Sequence, residues 1–244
     1  MIRGALPRIM LRQAQHNNKF FNMTRLFAHR GFASKNIPQN SIASLKRAHE
    51  FGFRAVEFDV WFLQKKLILK HDHPTEKEIN ILPNFRDYFF FGNEFNYWID
   101  FKNLDEKNSE NFLKAVKKTL DEAAINLDQI YFAPFITDYK IAERIFIKIR
   151  KIFGEKINLI AVCEELKTAA DVKILREFLT KNKIKFLSIF HEIIDQDFVK
   201  KFSDIEIFAW TVNDLKRLRE LESLGVRNFA TDKIIPFNLN SMSC

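Results

Sequence analysis

Two histidines and two carboxylates at alternate positions stand within one stretch, Ala28 to His73: AHRGFASKNIPQNSIASLKRAHEFGFRAVEFDVWFLQKKLILKHDH. His29 closes one apolar run and is followed by Arg30 and Gly31, and His71 closes another and is followed by Asp72. Imidazole titrates near neutrality, so a pair of them can take a proton from one group and give one to another. A lone histidine at a strand end is ordinarily a satisfied structural residue. Two of them beside a carboxylate pair argue for acid–base chemistry. Glu57 and Asp59 lie two residues apart in a strand-like run and so project to one face. Carboxylates sharing a face repel unless a proton or cation sits between them. Oxygen-only donors of this kind suit a hard ion, Mg²⁺ or Ca²⁺. The bland alternative is a solvated strand face, but Ala55, Val56, Phe58, Val60 and Trp61 leave little room for one.

These residues resemble the glycerophosphodiester phosphodiesterases, whose hallmark is HRG, then Glu-Asn-Thr before a helix, then E-x-D, then HD. The matching residues are His29-Arg30-Gly31, Gln39-Asn40-Ser41, Glu57-Phe58-Asp59 and His71-Asp72. The resemblance continues at Trp98 to Lys102, at Trp210-Thr211-Val212-Asn213 and at Gly225 to Asp232, and so covers about Leu26 to Pro236. It implies a metal-dependent hydrolase that releases glycerol 3-phosphate and an alcohol. His29 and His71 would be acid and base, and Glu57, Asp59 and Asp100 the metal ligands. Arg30, Lys102, Asn40 and Trp210 would contact phosphate or substrate, with Trp210 either an apolar wall or barrel core. The family usually has Glu where Asp100 stands; Asp there is similar to the spider-venom sphingomyelinase D group. Gln39 and Ser41 replace Glu and Thr, which removes one charge. A phospholipase D-like enzyme on intact lipid, or a non-catalytic binding barrel, are the alternatives. The implied partner is a small glycerophosphodiester or a lysophospholipid or phospholipid head group.

The elements that must position these residues are legible from pattern. Leu26-Phe27-Ala28 reads as a short strand ending at His29, and Gln39-Asn40-Ser41 caps a helix that Gly52 stops. Ala55 to Phe62 is a second strand, and Gln64-Lys65-Lys66 turns it into a return strand ending before His71. That hairpin should bring His71 back to the rim where Glu57 and Asp59 lie. Fewer than 30 residues separate His71 from Asp100, shorter than the family's usual insertion, and Phe89-Phe90-Phe91 reads either as an apolar tip near the pocket mouth or as rings packed down onto the barrel where the insertion is missing. From Tyr97 onward strands and helices alternate. Leaving out the hairpin return, eight parallel strands are predicted: an α/β (β/α)₈ TIM barrel, whose sites lie at the C-terminal strand ends.

Composition bounds the rest. A chain of 244 residues fits one such barrel. The net charge of +8 is carried by residues 1–49: nine Lys or Arg precede the first acid, Glu50, so the remainder nets −1. A near-neutral body is no footprint for nucleic acid. Residues 1–22 are expected to be a disordered leader, with a transit peptide as the sharper alternative. The barrel should span 23–237 and residues 238–244 should fray. No apolar run is long enough to span a bilayer. Cys163 and Cys244 read as free thiols, which favours a reducing, cytoplasmic setting or, given a transit peptide, an organelle. The 27 phenylalanines against 6 glycines read as coding bias. Oligomeric state is open.

Overall fold

Strand β1, Arg25–His29, pairs in parallel with both β9, Asn228–Thr231, and β2, Ala55–Leu63, and so closes a barrel. The computed structural model describes residues 24–237; the expected leader and frayed tail lie outside them. The remaining parallel strands are β4 (Asn96–Phe101), β5 (Ile130–Pro134), β6 (Asn158–Cys163), β7 (Phe186–Phe190) and β8 (Glu206–Trp210). The order β1-β9-β8-β7-β6-β5-β4-β2 is the predicted eight-stranded parallel barrel. β3, Lys66–Leu69, is the predicted hairpin return, antiparallel to β2 with Leu69 opposite Val60.

Alternation decides what each face does. On β2, Val56, Phe58 and Val60 point out into the helical layer, so Ala55, Glu57 and Asp59 point into the barrel. The interior below the site is filled by large rings, with Phe27 edge-on to Trp98 and Tyr131, and Phe208 beside them. This packed floor leaves chemistry only at the strands' C-terminal rim.

Among the described residues six helices flank the strands: α1 (Ile42–Glu50), α2 (Ser109–Glu122), α3 (Tyr139–Phe153), α4 (Ala169–Lys181), α5 (Gln196–Lys201) and α6 (Leu215–Ser223). Polar side chains cap five of them, Ser41, Asp138, Thr168, Asp195 and Asp214. No helix follows β2. The hairpin and three short 3₁₀ turns, Glu78–Asn80, Phe85–Phe89 and Gly92–Glu94, take its place. Of the two readings of the phenylalanine run, the structure has the rings on the barrel's flank and not a tip at the pocket mouth. Phe89 is buried against Phe58 and Tyr97, and Phe91 stacks on His49 of α1. Phe90 is 62% exposed, with Lys46 over its ring. All three rings lie in the helical layer on the flank, and none lines the rim cleft.

The turn after β1 is tight. Gly31 has φ +74°, and a Cβ there would collide with Ser44 Oγ and stand 2.7 Å from Tyr88 Oη. Gly31→Ala is therefore expected to cost about 1–3 kcal/mol, since strain and overpacking add. A thermal melt checks this; an unchanged Tm would mean that the turn relaxes freely.

Candidate active site

Register brings the rim residues to one level. His29 lies beside Glu57 across β1 and β2, and Asp59 lies beside Asp100 across β2 and β4. His29, Arg30, Glu57, Asp59, His71, Asp100, Lys102 and Trp210 all line one cleft. Asn40, the remaining residue predicted for the site, is buried beside it and bonded to Asp59.

Asp59 is the hub, at 1% exposure. Asn40 Nδ2 donates to its Oδ2 at 2.8 Å, and the Asp59 backbone N–H donates back to Asn40 Oδ1 at 3.1 Å. Asn40 holds φ +53°, a conformation asparagine tolerates better than most residues, and its N–H donates to the Arg30 carbonyl. Lys102 Nζ lies 2.9 Å from Asp59 Oδ1 and 3.7 Å from Asp100 Oδ2. Arg30 Nε lies 3.3 Å from Asp59 Oδ2, while the Arg30 backbone N–H donates to Glu57 Oε2 at 3.0 Å. The family glutamate's place is taken by Gln39, whose Oε1 accepts from Arg30 Nη1 at 2.9 Å. Trp98 Nε1 donates to Asp100 Oδ1 at 2.9 Å.

Glu57, Asp59 and Asp100 each offer an oxygen within 4.8 Å of the others, a group that can hold a metal ion. The donor set fits a hard cation, being all carboxylate. Burial, then Asp59 and Asp100, push Glu57 well up from its usual range, against Arg30 and Lys102. Burial pushes Asp100 up to about 7, with Lys102 opposing and Asp59 adding. Burial would lower Lys102, but Asp100 and Asp59 raise it, so it stays charged. Three carboxylates, two of them buried, against two cations thus leave a site one positive charge short of balance.

A stability prediction follows from the sign. Both raised groups have folded pKa values above their unfolded values near 4. Their favourable contribution is complete below that value and is lost as pH rises, for Asp100 through about 7. In EDTA the Tm is expected to fall between pH 5 and pH 8. Saturating Mg²⁺ or Ca²⁺ should flatten the fall, because a cation favours the ionised forms. A Tm in EDTA that rises over this interval would contradict the assignment.

Each histidine presents Nδ1 to a carboxylate. His29 Nδ1 lies 2.8 Å from Asp232 Oδ1, and its Nε2 lies 3.8 Å from Glu57 Oε2. His71 Nδ1 lies 2.8 Å from Asp72 Oδ1, and Trp61 Nε1 donates to the neighbouring Lys70 carbonyl at 2.9 Å, fixing the hairpin's return. With a carboxylate facing Nδ1, that nitrogen carries the proton and Nε2 is left for exchange. Asp232 was missing from the sequence reading of the site. Burial raises it, but the hydrogen bond and charge of His29 and the Asn213 amide hold it below its usual range. Asn213 Nδ2 donates to its Oδ2 at 2.9 Å, and the Asp232 N–H donates to Asn213 Oδ1 at 2.7 Å. The available signal was position: Asp232 directly follows β9, as Arg30 follows β1. Trp210 lines the cleft and packs on the interior rings. Cys163 is buried and its thiol is pushed up to about 11 by that burial, which makes it a poor nucleophile.

The model of the Glycerophosphoryl diester phosphodiesterase family matches residues 29–81, the segment carrying His29, Arg30, Asn40, Glu57, Asp59 and His71. Over this segment the chain is similar to the family. A glycerophosphodiester phosphodiesterase of Caldanaerobacter subterraneus subsp. tengcongensis is 41% identical over 58 residues, 23% of this chain and 24% of that protein. The aligned segment thus spans about a quarter of the curated relative. Two solved structures share the fold of this chain. One is an Oleispira antarctica phosphodiesterase in complex with the product sn-glycerol-3-phosphate, with a TM-score of 0.71 and 18% identity, covering 91% of this chain and 97% of that one. The other is a glycerophosphodiester phosphodiesterase of Parabacteroides distasonis, with a TM-score of 0.70 and 21% identity, covering 90% and 96%. Among the described residues no helix is long and apolar enough to cross a membrane.

Proposed function

We propose that this chain hydrolyses glycerophosphodiesters to glycerol 3-phosphate and an alcohol. The observation that carries this is the convergence, in one cleft, of two histidines backed by carboxylates with a three-carboxylate cluster flanked by Arg30 and Lys102. Arg30 and Lys102 supply the positive charge that binds and orients the phosphodiester. One Nε2, of His29 or His71, takes the proton of the attacking hydroxyl or water. The other gives a proton to the leaving alcohol oxygen. Asp232 and Asp72 orient the two rings. Glu57, Asp59 and Asp100 would hold a Mg²⁺ or Ca²⁺ ion, which supplies charge neutralisation for the phosphoryl oxygens. Attack by water and attack by the substrate's own glycerol hydroxyl use the same groups. Asn40 acts by fixing Asp59, and Trp210 walls the leaving-group side.

A lipid-cleaving enzyme rests on Asp100 alone, because the phenylalanine run lies away from the cleft. A hydrolysis screen over glycerophosphodiesters and intact phospholipids, with Mg²⁺, Ca²⁺ or EDTA, tests the proposal. Release of glycerol 3-phosphate with a metal and none in EDTA is the expected result. Full turnover in EDTA would overturn the metal's part. Turnover of intact phospholipids alone would favour the second reading.

A further inference from the structure

A (β/α)₈ barrel covers its strands with one helix each, and the place after β2 is filled here by β3 and 3₁₀ turns. The filling is incomplete. A groove of about 480 Å³ remains between β3, these turns and α2, sharing no lining residue with the active-site cleft. Its floor is apolar, with Leu67, Ile79, Leu82 and Phe85. Its rim carries Lys65, Lys66, Arg86 and Lys118 against a single acid, Glu122. Lys66 Nζ donates to the neutral Asn80 Oδ1 at 2.6 Å and so keeps its charge uncompensated. Lys118 Nζ lies 3.8 Å from Glu122. Among the described residues, the side chains of Lys65 and Arg86 make no hydrogen bond or ion pair. The rim is therefore three positive charges in excess.

We propose that this groove binds a single-chain anionic amphiphile, with a phosphate or carboxylate head on the basic rim and an alkyl chain along the floor. Charge and shape argue for one ligand with both ends. A small inorganic anion would satisfy the rim and leave the apolar floor wet. A neutral amphiphile would cover the floor and leave four cations crowded at its edge. The volume falls within the range of small-molecule sites. Ile81, 79% exposed between two lining residues, extends the apolar surface past the groove's edge. The chain's own leader is the wrong occupant, since residues 1–22 hold four cations and no acid.

Calorimetric titration of the full chain with dodecyl phosphate, below its micelle concentration, tests this. One site is expected, with inorganic phosphate and dodecyl maltoside each at least tenfold weaker and laurate comparable. The R86E/K118E pair, both exposed and so tolerant of replacement, should weaken dodecyl phosphate at least tenfold. The K200E/K216E pair changes net charge equally on exposed positions following β7 and β8, and should leave binding within twofold. No binding of dodecyl phosphate overturns the proposal, as does equal affinity for inorganic phosphate. Equal effects of the two variant pairs would also overturn it, because binding would then reflect overall charge or the active-site cleft.

Discussion

Replacing His29 by alanine is expected to lower kcat by about 10² to 10⁴, the usual contribution of one positioned acid or base. The fold should tolerate the change. The ring's partner, Asp232, has a side chain 45% exposed and can turn to water once the imidazole is gone. The lost hydrogen bond then costs about 1 kcal/mol, or a few degrees of Tm in a domain of this size. His71→Ala should behave likewise, with a smaller loss of stability, since its ring is the more exposed of the two. If the two rings serve the two ends of one displacement, their effects are not independent. The double variant should lose less than the product of the single losses. Asp232→Asn separates positioning from chemistry. It presents an amide to His29 Nδ1 at nearly constant volume, so kcat should fall while Tm holds. Near-normal kcat in either alanine variant would remove the histidine pair from the mechanism.

Short-range pattern made much of this site legible. Strand period two placed Glu57 and Asp59 together before any fold was known, and the strand-end rule placed His29 and His71 on one rim. The hairpin return was readable because Gln64-Lys65-Lys66 interrupts two apolar runs. Asp232 was harder to see. It lies 203 residues from His29, and only closure of β9 onto β1 makes them neighbours. A strand end carries a signal, but nothing local says which other strand end it will face. The phenylalanine run was ambiguous for a different reason. Three consecutive rings fit neither period, so pattern cannot say which faces inward. Their burial follows from the missing helix after β2, whose place they help to fill against Phe58, Tyr97 and His49.

Asp59→Asn is expected to abolish most metal-dependent activity while leaving the metal-free protein nearly as stable as before. Two effects oppose each other in the absence of metal. The substitution takes a full charge from Lys102 and Arg30, 2.9 and 3.3 Å away, and breaking a buried pair commonly costs about 3–5 kcal/mol. Here the cations are not stranded. Lys102 retains Asp100 at 3.7 Å, and Arg30 keeps its backbone bond to Glu57 and its side-chain bond to Gln39. The removed charge is also one of those pushing Glu57 and Asp100 up, so its loss relieves both. Three carboxylates facing two cations become two facing two, which balances the buried charge. The asparagine can still accept from Asn40 Nδ2 through its own Oδ1. Metal binding has no such compensation, because one of three ligand oxygens loses its charge and the site its net attraction for a cation. The readout is a pair of melts. In EDTA the Tm should shift by a few degrees at most, whereas the gain on adding Mg²⁺ or Ca²⁺ should shrink sharply, with activity returning in part as the metal is raised. An undiminished metal-induced gain in Tm would show that the ion binds elsewhere, and a collapse of the protein in EDTA would show that Asp59 holds the rim by itself.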